Sequence, residues 1–207
     1  MHILIVYGTT EGQTRKVATF LADHIRERGN EVTLLDSTEA PRSVDVDAYG
    51  AVIAAGSVHN GRHQASLFQF VRNHRHALLT KPTALVSVSL SMASDDLQDH
   101  VEAAACADRF ITASEWTPTV THLVAGALRY TQYDFFKGWI LKMIAGAKGA
   151  STDTDKDHEF TDWSDLEAFV DAFLKQVHEH GDLIAKPSAG PALDDDKSGL
   201  INQSQQA

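Results

Sequence analysis

Short, continuous apolar runs alternate along the chain with longer stretches in which apolar residues recur every three or four positions. The first run, Ile3, Leu4, Ile5 and Val6, has the pattern of a strand buried on both faces, and turn residues follow it at once. From Thr14 onward Val17, Ala18, Leu21, Ala22 and Ile25 keep helical spacing, so a helix begins near residues 12–14. Further strands are predicted over residues 31–35, 51–55, 84–88 and 120–124. Between them, Leu67, Phe68, Phe70 and Val71 mark one helical face, and another helix fills residues 95–113. A last helix is announced by the cap-rich string Thr161-Asp162-Trp163-Ser164-Asp165 and runs through Leu166, Phe169, Val170, Phe173, Leu174 and Val177. This alternation predicts an α/β fold: a doubly wound, five-stranded parallel sheet in the order 2-1-3-4-5, with a ligand crevice at the carboxyl ends of strands one and three.

The turn at that crevice has a defined chemistry. Thr9, Thr10 and Thr14 supply hydroxyls, Gly12 permits a positive φ, and the first N–H groups of the helix point into the turn with the positive end of its dipole. No Lys or Arg lies between Tyr7 and Gln13, and neither the phosphate-loop nor the dinucleotide glycine pattern is present. Neutral donors alone suit a single phosphomonoester held without a metal. The string Ile5-Val6-Tyr7-x-Thr9-x-x-Gly12-x-Thr14-x-x-x-Ala18-x-x-Leu21 resembles the flavodoxin signature, in which the phosphate belongs to FMN. The resemblance implies cofactor contacts from Thr9, Thr10, Glu11, Gly12, Gln13 and Thr14. Loops after the third, fourth and fifth strands would complete them through Ser57, Val58, His59 and Gly61, then Ser87, Val88, Ser89 and Leu90, then Ala125, Gly126 and Ala127. These loops lack bulk, as a flat ring lying against backbone requires.

Composition narrows the function. At 207 residues the chain fits one domain, expected over residues 1–180, with a polar, acidic tail at 181–207 that reads as disordered. A net charge of −10 argues against nucleic acid as a partner. The lone Cys106 excludes an internal disulfide and reads as a small buried hydrophobe. His74, His76, His178 and His180 read as solvated helix residues without a metal-ligand set. The five-residue apolar start lacks the basic flank of a signal peptide, so a cytoplasmic protein is expected.

One segment exceeds what a five-stranded fold of this type needs. Within residues 133–149, Phe136, Trp139, Ile140 and Met143 share a helical face flanked by Lys137 and Lys148. It is shorter than the roughly 20 residues of a membrane span. Its aromatic and basic content predicts an interfacial helix that touches an anionic membrane from the cytoplasmic side.

That segment, together with residues 125–130, Tyr133, Ser87-Val88-Ser89-Leu90, Ser114-x-Trp116-x-Pro118 and the string from Thr161, resembles the flavodoxin-type, quinone-dependent protoporphyrinogen IX dehydrogenase family of bacterial haem synthesis. The chain departs from it at Ser91-Met92-Ala93-Ser94-Asp95-Asp96, acidic where a basic stretch is expected. The resemblance implies an FMN-dependent oxidoreductase that oxidises protoporphyrinogen IX and passes electrons to a membrane quinone, menaquinone or ubiquinone. The flavin carries the redox step, so no catalytic side chain is assigned. Arg62, His63, Arg129 and Tyr130 are the expected substrate contacts, with cations near the ring raising the flavin potential and pairing with propionates. A flavodoxin-type electron carrier and an NAD(P)H:quinone reductase share the FMN turn and stand as alternatives.

Overall fold

A computed structural model describes residues 1–40, 44–128 and 158–185. Strand β1 (His2–Gly8) sets the plan. Ile3, Ile5 and Tyr7 enter one core, while Leu4 and Val6 enter another on the opposite face. Period-two geometry sends successive side chains to opposite sides, so a continuous apolar run is stable only where both sides are covered.

Helices α1 (Gln13–Glu27) and α4 (Trp163–Ala185) cover the first face, the latter through Leu166, Phe169, Val170, Phe173 and Val177. Helices α2 (Ala65–Leu78) and α3 (Leu97–Ser114) cover the second, which also contains the fully buried Trp116. Asp162 starts α4 by accepting hydrogen bonds from the N–H groups of Ser164 at 3.0 Å and Asp165 at 3.1 Å, as the cap-rich string predicts.

The sheet runs β2 (Glu31–Asp36), β1, β3 (Ala51–His59), β5 (Thr83–Ser89), β6 (Val120–Ala125), every neighbouring pair parallel. This is the predicted order. The structure differs in four places. First, β3 does not stop at Ala55: it continues to His59, reverses at Asn60 (φ 50°) and Gly61 (φ 72°), and returns as β4 (Arg62–His63). Two consecutive positive φ values in an Asn-Gly pair define a tight hairpin turn, where sequence reading expected an open loop.

Second, a two-stranded antiparallel pair, β7 (Ala127–Leu128) with β8 (His158–Glu159), brackets residues 129–157. Arg129, Tyr130, Phe136, Trp139, Ile140 and Met143 lie outside the described residues. Third, α4 continues through Gly181 to Ala185, past the expected boundary at 180. A helical glycine costs only about 1 kcal/mol, so Gly181 does not end the helix; residues 186–207 lie outside the description. Fourth, His74 is half-buried, its Nδ1 2.9 Å from the Phe70 carbonyl, and His180 is half-buried with a buried Nε2, whereas His76 and His178 are exposed.

Leu67 carries the contact between α2 and the strand ends that form the crevice. It is fully buried, and a Cβ added at Gly56 would meet its Cδ2 at 2.7 Å, so strand and helix are packed to their limit. Leu67→Ala is expected to cost about 2–5 kcal/mol, read as a lowered urea midpoint with an unchanged slope.

Candidate functional site

The carboxyl ends of β1, β3, β5 and β6 open on one cavity of about 290 Å³. It sits where the chain leaves β1 toward β2 on one side and reaches β3 on the other, the switch point at which doubly wound sheets bind ligands.

Gly12 adopts φ 89° and ψ −10°, and its N–H donates to Thr9 Oγ1 at 2.9 Å, closing the turn. The first helical bond runs from Lys16 N–H to the Gly12 carbonyl. The N–H groups of Gln13, Thr14 and Arg15 therefore have no acceptor within the helix. Thr14 is fully buried and its Oγ1 has no hydrogen-bond partner. An unpaired buried hydroxyl costs about 1–3 kcal/mol, which a ligand oxygen would recover. The cations that follow are engaged elsewhere: Arg15 donates to Tyr7 OH at 3.0 Å and to Asp36 at 3.4 Å, and Lys16 to Glu159 at 2.8 Å. That contact with Lys16 holds the Glu159 carboxyl below the usual carboxylate range.

Two braces hold the turn. Gln64 Nε2 donates to Thr10 Oγ1 at 2.9 Å and also contacts Ser57 Oγ, joining β1's turn to the end of β3. A Cβ at Gly8 would lie 3.1 Å from Gln64 Cβ and 3.2 Å from its Oε1, so glycine makes room for this side chain. On the other side Gln13 Nε2 donates to Thr161 Oγ1 at 2.9 Å, and Thr161 donates to the Ala125 carbonyl at 2.8 Å.

Of the expected cofactor contacts, Thr9, Thr10, Glu11, Gln13 and Thr14 line the cavity together with Ser57, Val58, His59 and Gly61. Val88, Ser89 and Leu90 form the next wall, and Gly126 and Ala127 the last. Three others stand behind it. Gly12 shapes the turn, Ser87 is buried with its Oγ 2.9 Å from His63 Nε2, and Ala125 offers its carbonyl to Thr161.

The two expected substrate contacts that fall among the described residues do not line the crevice. The hairpin carries Arg62 and His63 back toward α3, where they line a neighbouring cavity instead of the crevice. His63 is not a cation there. Burial, reinforced by the charge of Arg109, lowers its pKa to about 4.

Sequence reading missed Gln64 and the contribution of α3 through Glu102, Ala103 and Cys106, and it placed Asn60 and Ser91 in the crevice loops without naming them as contacts. The signal for α3 was a row of small residues, Ala103, Cys106 and Ala107, at helical spacing on its sheet-facing side. Cys106 is buried, as expected, but it also forms part of the wall.

Residues 4–155 match the model of the flavodoxin domain. Protoporphyrinogen IX dehydrogenase (quinone) from Escherichia coli is 31% identical over 172 residues, covering 82% of this chain and 93% of that one. The protein of that name from Leishmania major is 29% identical over 174 residues, covering 82% and 73%. The chain belongs to the flavodoxin domain family, in its protoporphyrinogen IX dehydrogenase branch.

Oxidised flavodoxin 1 from Bacillus cereus superposes with a TM-score of 0.51 at 13% identity, covering 84% of this chain and 98% of that one, a likeness of fold. Rubredoxin oxygen:oxidoreductase from Desulfovibrio gigas gives the same score at 14% identity, with 86% and 36% covered. Membership in the flavodoxin domain family identifies the cofactor class as a flavin.

The buried His63 makes stability pH-dependent. Its folded pKa, about 4, lies below the ordinary 6.5. Between those values the unfolded chain takes up a proton that the folded chain refuses. The stabilisation present above about pH 6.5 is thus lost as pH falls toward 4, by at most about 1.4 kcal/mol per pH unit. Urea midpoints of the wild type should decline through this window. In His63→Gln this component of the decline should be absent.

Proposed function

We propose that this chain binds FMN in the crevice and oxidises protoporphyrinogen IX to protoporphyrin IX, with a quinone as electron acceptor. The observation that carries the cofactor assignment is the Thr14 hydroxyl, buried without a partner beside the free N–H groups of the first helical turn. A phosphomonoester satisfies these donors together, and the absence of Lys or Arg from residues 8–14 suits one phosphate better than a polyphosphate. The substrate and acceptor are those named for the Escherichia coli and Leishmania major relatives.

A bound flavin supplies two-electron acceptance, so three rounds cover the six-electron conversion. The chain's own residues bind and position. Thr9, Thr10 and Thr14 fix the phosphate end, while Ser57 to Gly61 and Val88 to Leu90 offer walls with little side-chain bulk between them. Gln64 and Thr161 hold those walls in register with the turn. No proton-transferring side chain is assigned.

Two measurements test this reading. Thr14→Ala should weaken FMN binding about ten- to a hundredfold, the value of one hydrogen bond to a charged group, and leave riboflavin binding nearly unchanged. Equal affinity of the wild type for riboflavin and FMN would remove the phosphate assignment. Anaerobic mixing of the FMN-loaded protein with protoporphyrinogen should bleach the flavin, and porphyrin fluorescence should appear with turnover once a soluble quinone is added to reoxidise it for the remaining rounds. Bleaching by NADH or NADPH without any response to protoporphyrinogen would move the protein to the NAD(P)H:quinone reductases. No reaction with either donor would leave an electron carrier.

A further inference from the structure

A second cavity, of about 370 Å³, adjoins the crevice and shares Gly61 and Cys106 with it. Its body is apolar. Phe68 and Phe110 meet edge to face with centroids 5.9 Å apart, the His63 ring lies 4.8 Å from Phe110, and Ala65 and Ala113 complete the walls. Two guanidinium groups, both on exposed side chains, flank it: Arg62 and Arg109.

Arg109 is held in place, its Nη2 donating to the Gly61 carbonyl at 3.2 Å and to Cys106 Sγ at 3.0 Å. Its other N–H groups remain for a ligand. Among the described residues neither arginine is ion-paired, whereas Arg15, Arg26, Arg28, Arg72 and Arg75 each face a carboxylate. Two unneutralised arginines on one cavity, in a chain of net charge −10, select for an anion. The apolar body requires that the anion be attached to a ring or chain. His63 stays neutral, so the positive charge is confined to the open side.

We propose that this cavity is a carboxylate-recognising subsite that receives one propionate-bearing pyrrole edge of the tetrapyrrole, with Arg62 and Arg109 on the carboxylate and Phe68 and Phe110 against the ring. The assignment rests on the porphyrinogen reading above. The volume lies near the lower end of small-molecule pockets, suited to part of a large ligand whose remainder extends over the shared Gly61 and Cys106 wall toward the crevice. A neutral quinone would gain from the apolar walls but little from the arginines, whereas a carboxylate takes charge-assisted, bidentate hydrogen bonds from a guanidinium.

The test titrates protoporphyrin IX and its dimethyl ester into the FMN-loaded protein, followed by porphyrin fluorescence. Arg62→Gln, Arg109→Gln and Ala113→Trp accompany the wild type; the last blocks the cavity from an exposed helical position. FMN affinity reports whether each variant is folded. The free acid should bind about tenfold or more tightly than the ester. Each arginine variant should erase most of that difference, and Ala113→Trp should weaken both ligands. Acid and ester binding alike in the wild type, or a preference that survives both arginine variants, overturns the subsite.

A parallel titration with 2-naphthoate separates this from the reading beneath it. Arginine-dependent binding of 2-naphthoate by a protein that does not oxidise protoporphyrinogen overturns the tetrapyrrole assignment while locating a carboxylate site. Oxidation of protoporphyrinogen with wild-type KM in both arginine variants overturns the subsite and leaves the activity standing.

Discussion

The turn between β1 and α1 presents more hydrogen-bond donors than the protein can satisfy by itself. Three N–H groups at the start of a helix and the buried Thr14 hydroxyl lie at a cavity whose lining, among the described residues, contains no Lys or Arg. Leaving such donors dry costs free energy, and the molecule does not relieve that cost by capping the helix with a side chain. Instead it fixes the turn from both sides. Gln64 ties it to β3, and Gln13 ties it through Thr161 to the end of β6. Much of the arrangement at the strand ends, including the glycine at position 8, serves to keep those donors aimed and unpaired.

The fold was legible because its signals are repetitive. Buried parallel strands need apolar runs, amphipathic helices need a three-to-four spacing, and both recur often enough along this chain to mark the five strands, whose order is that of the flavodoxin-like topology the alternation fits. The turn after β1 was legible because its conformation depends on residue type at fixed local spacing: hydroxyls, a glycine at the positive-φ position and no cation.

The walls were harder to read. Ser87 lies behind the cavity and Glu102 lines it, although nothing local in sequence separates the two cases. The distinction depends on which way β5 pleats and where α3 packs. Asn60-Gly61 did carry a hairpin signal, and a hairpin moves Arg62 and His63 from the crevice to the neighbouring cavity. His63 shows the general difficulty most clearly. A histidine in a glycine-rich stretch reads as a solvated, titrating group, yet burial against Phe110 and the field of Arg109 keep it neutral. Charge at a site is a property of its surroundings, and here those are supplied by α3, a helix distant in sequence from His63.

The brace through Thr161 has a consequence for the order in which the molecule becomes complete. Gln13 and Thr161 are 148 positions apart, and Lys16 and Glu159 are 143 apart. The cofactor turn thus leaves the ribosome well before half of its support. A nascent chain that has not yet reached position 159 carries the hydroxyl and N–H donors of the turn but lacks the contacts that hold Gln13 in place. Because such distant contacts are entropically costly to close, they are made late. Completion of the turn after β1 thereby depends on docking of the segment that leads into α4 and not on the turn's own residues alone.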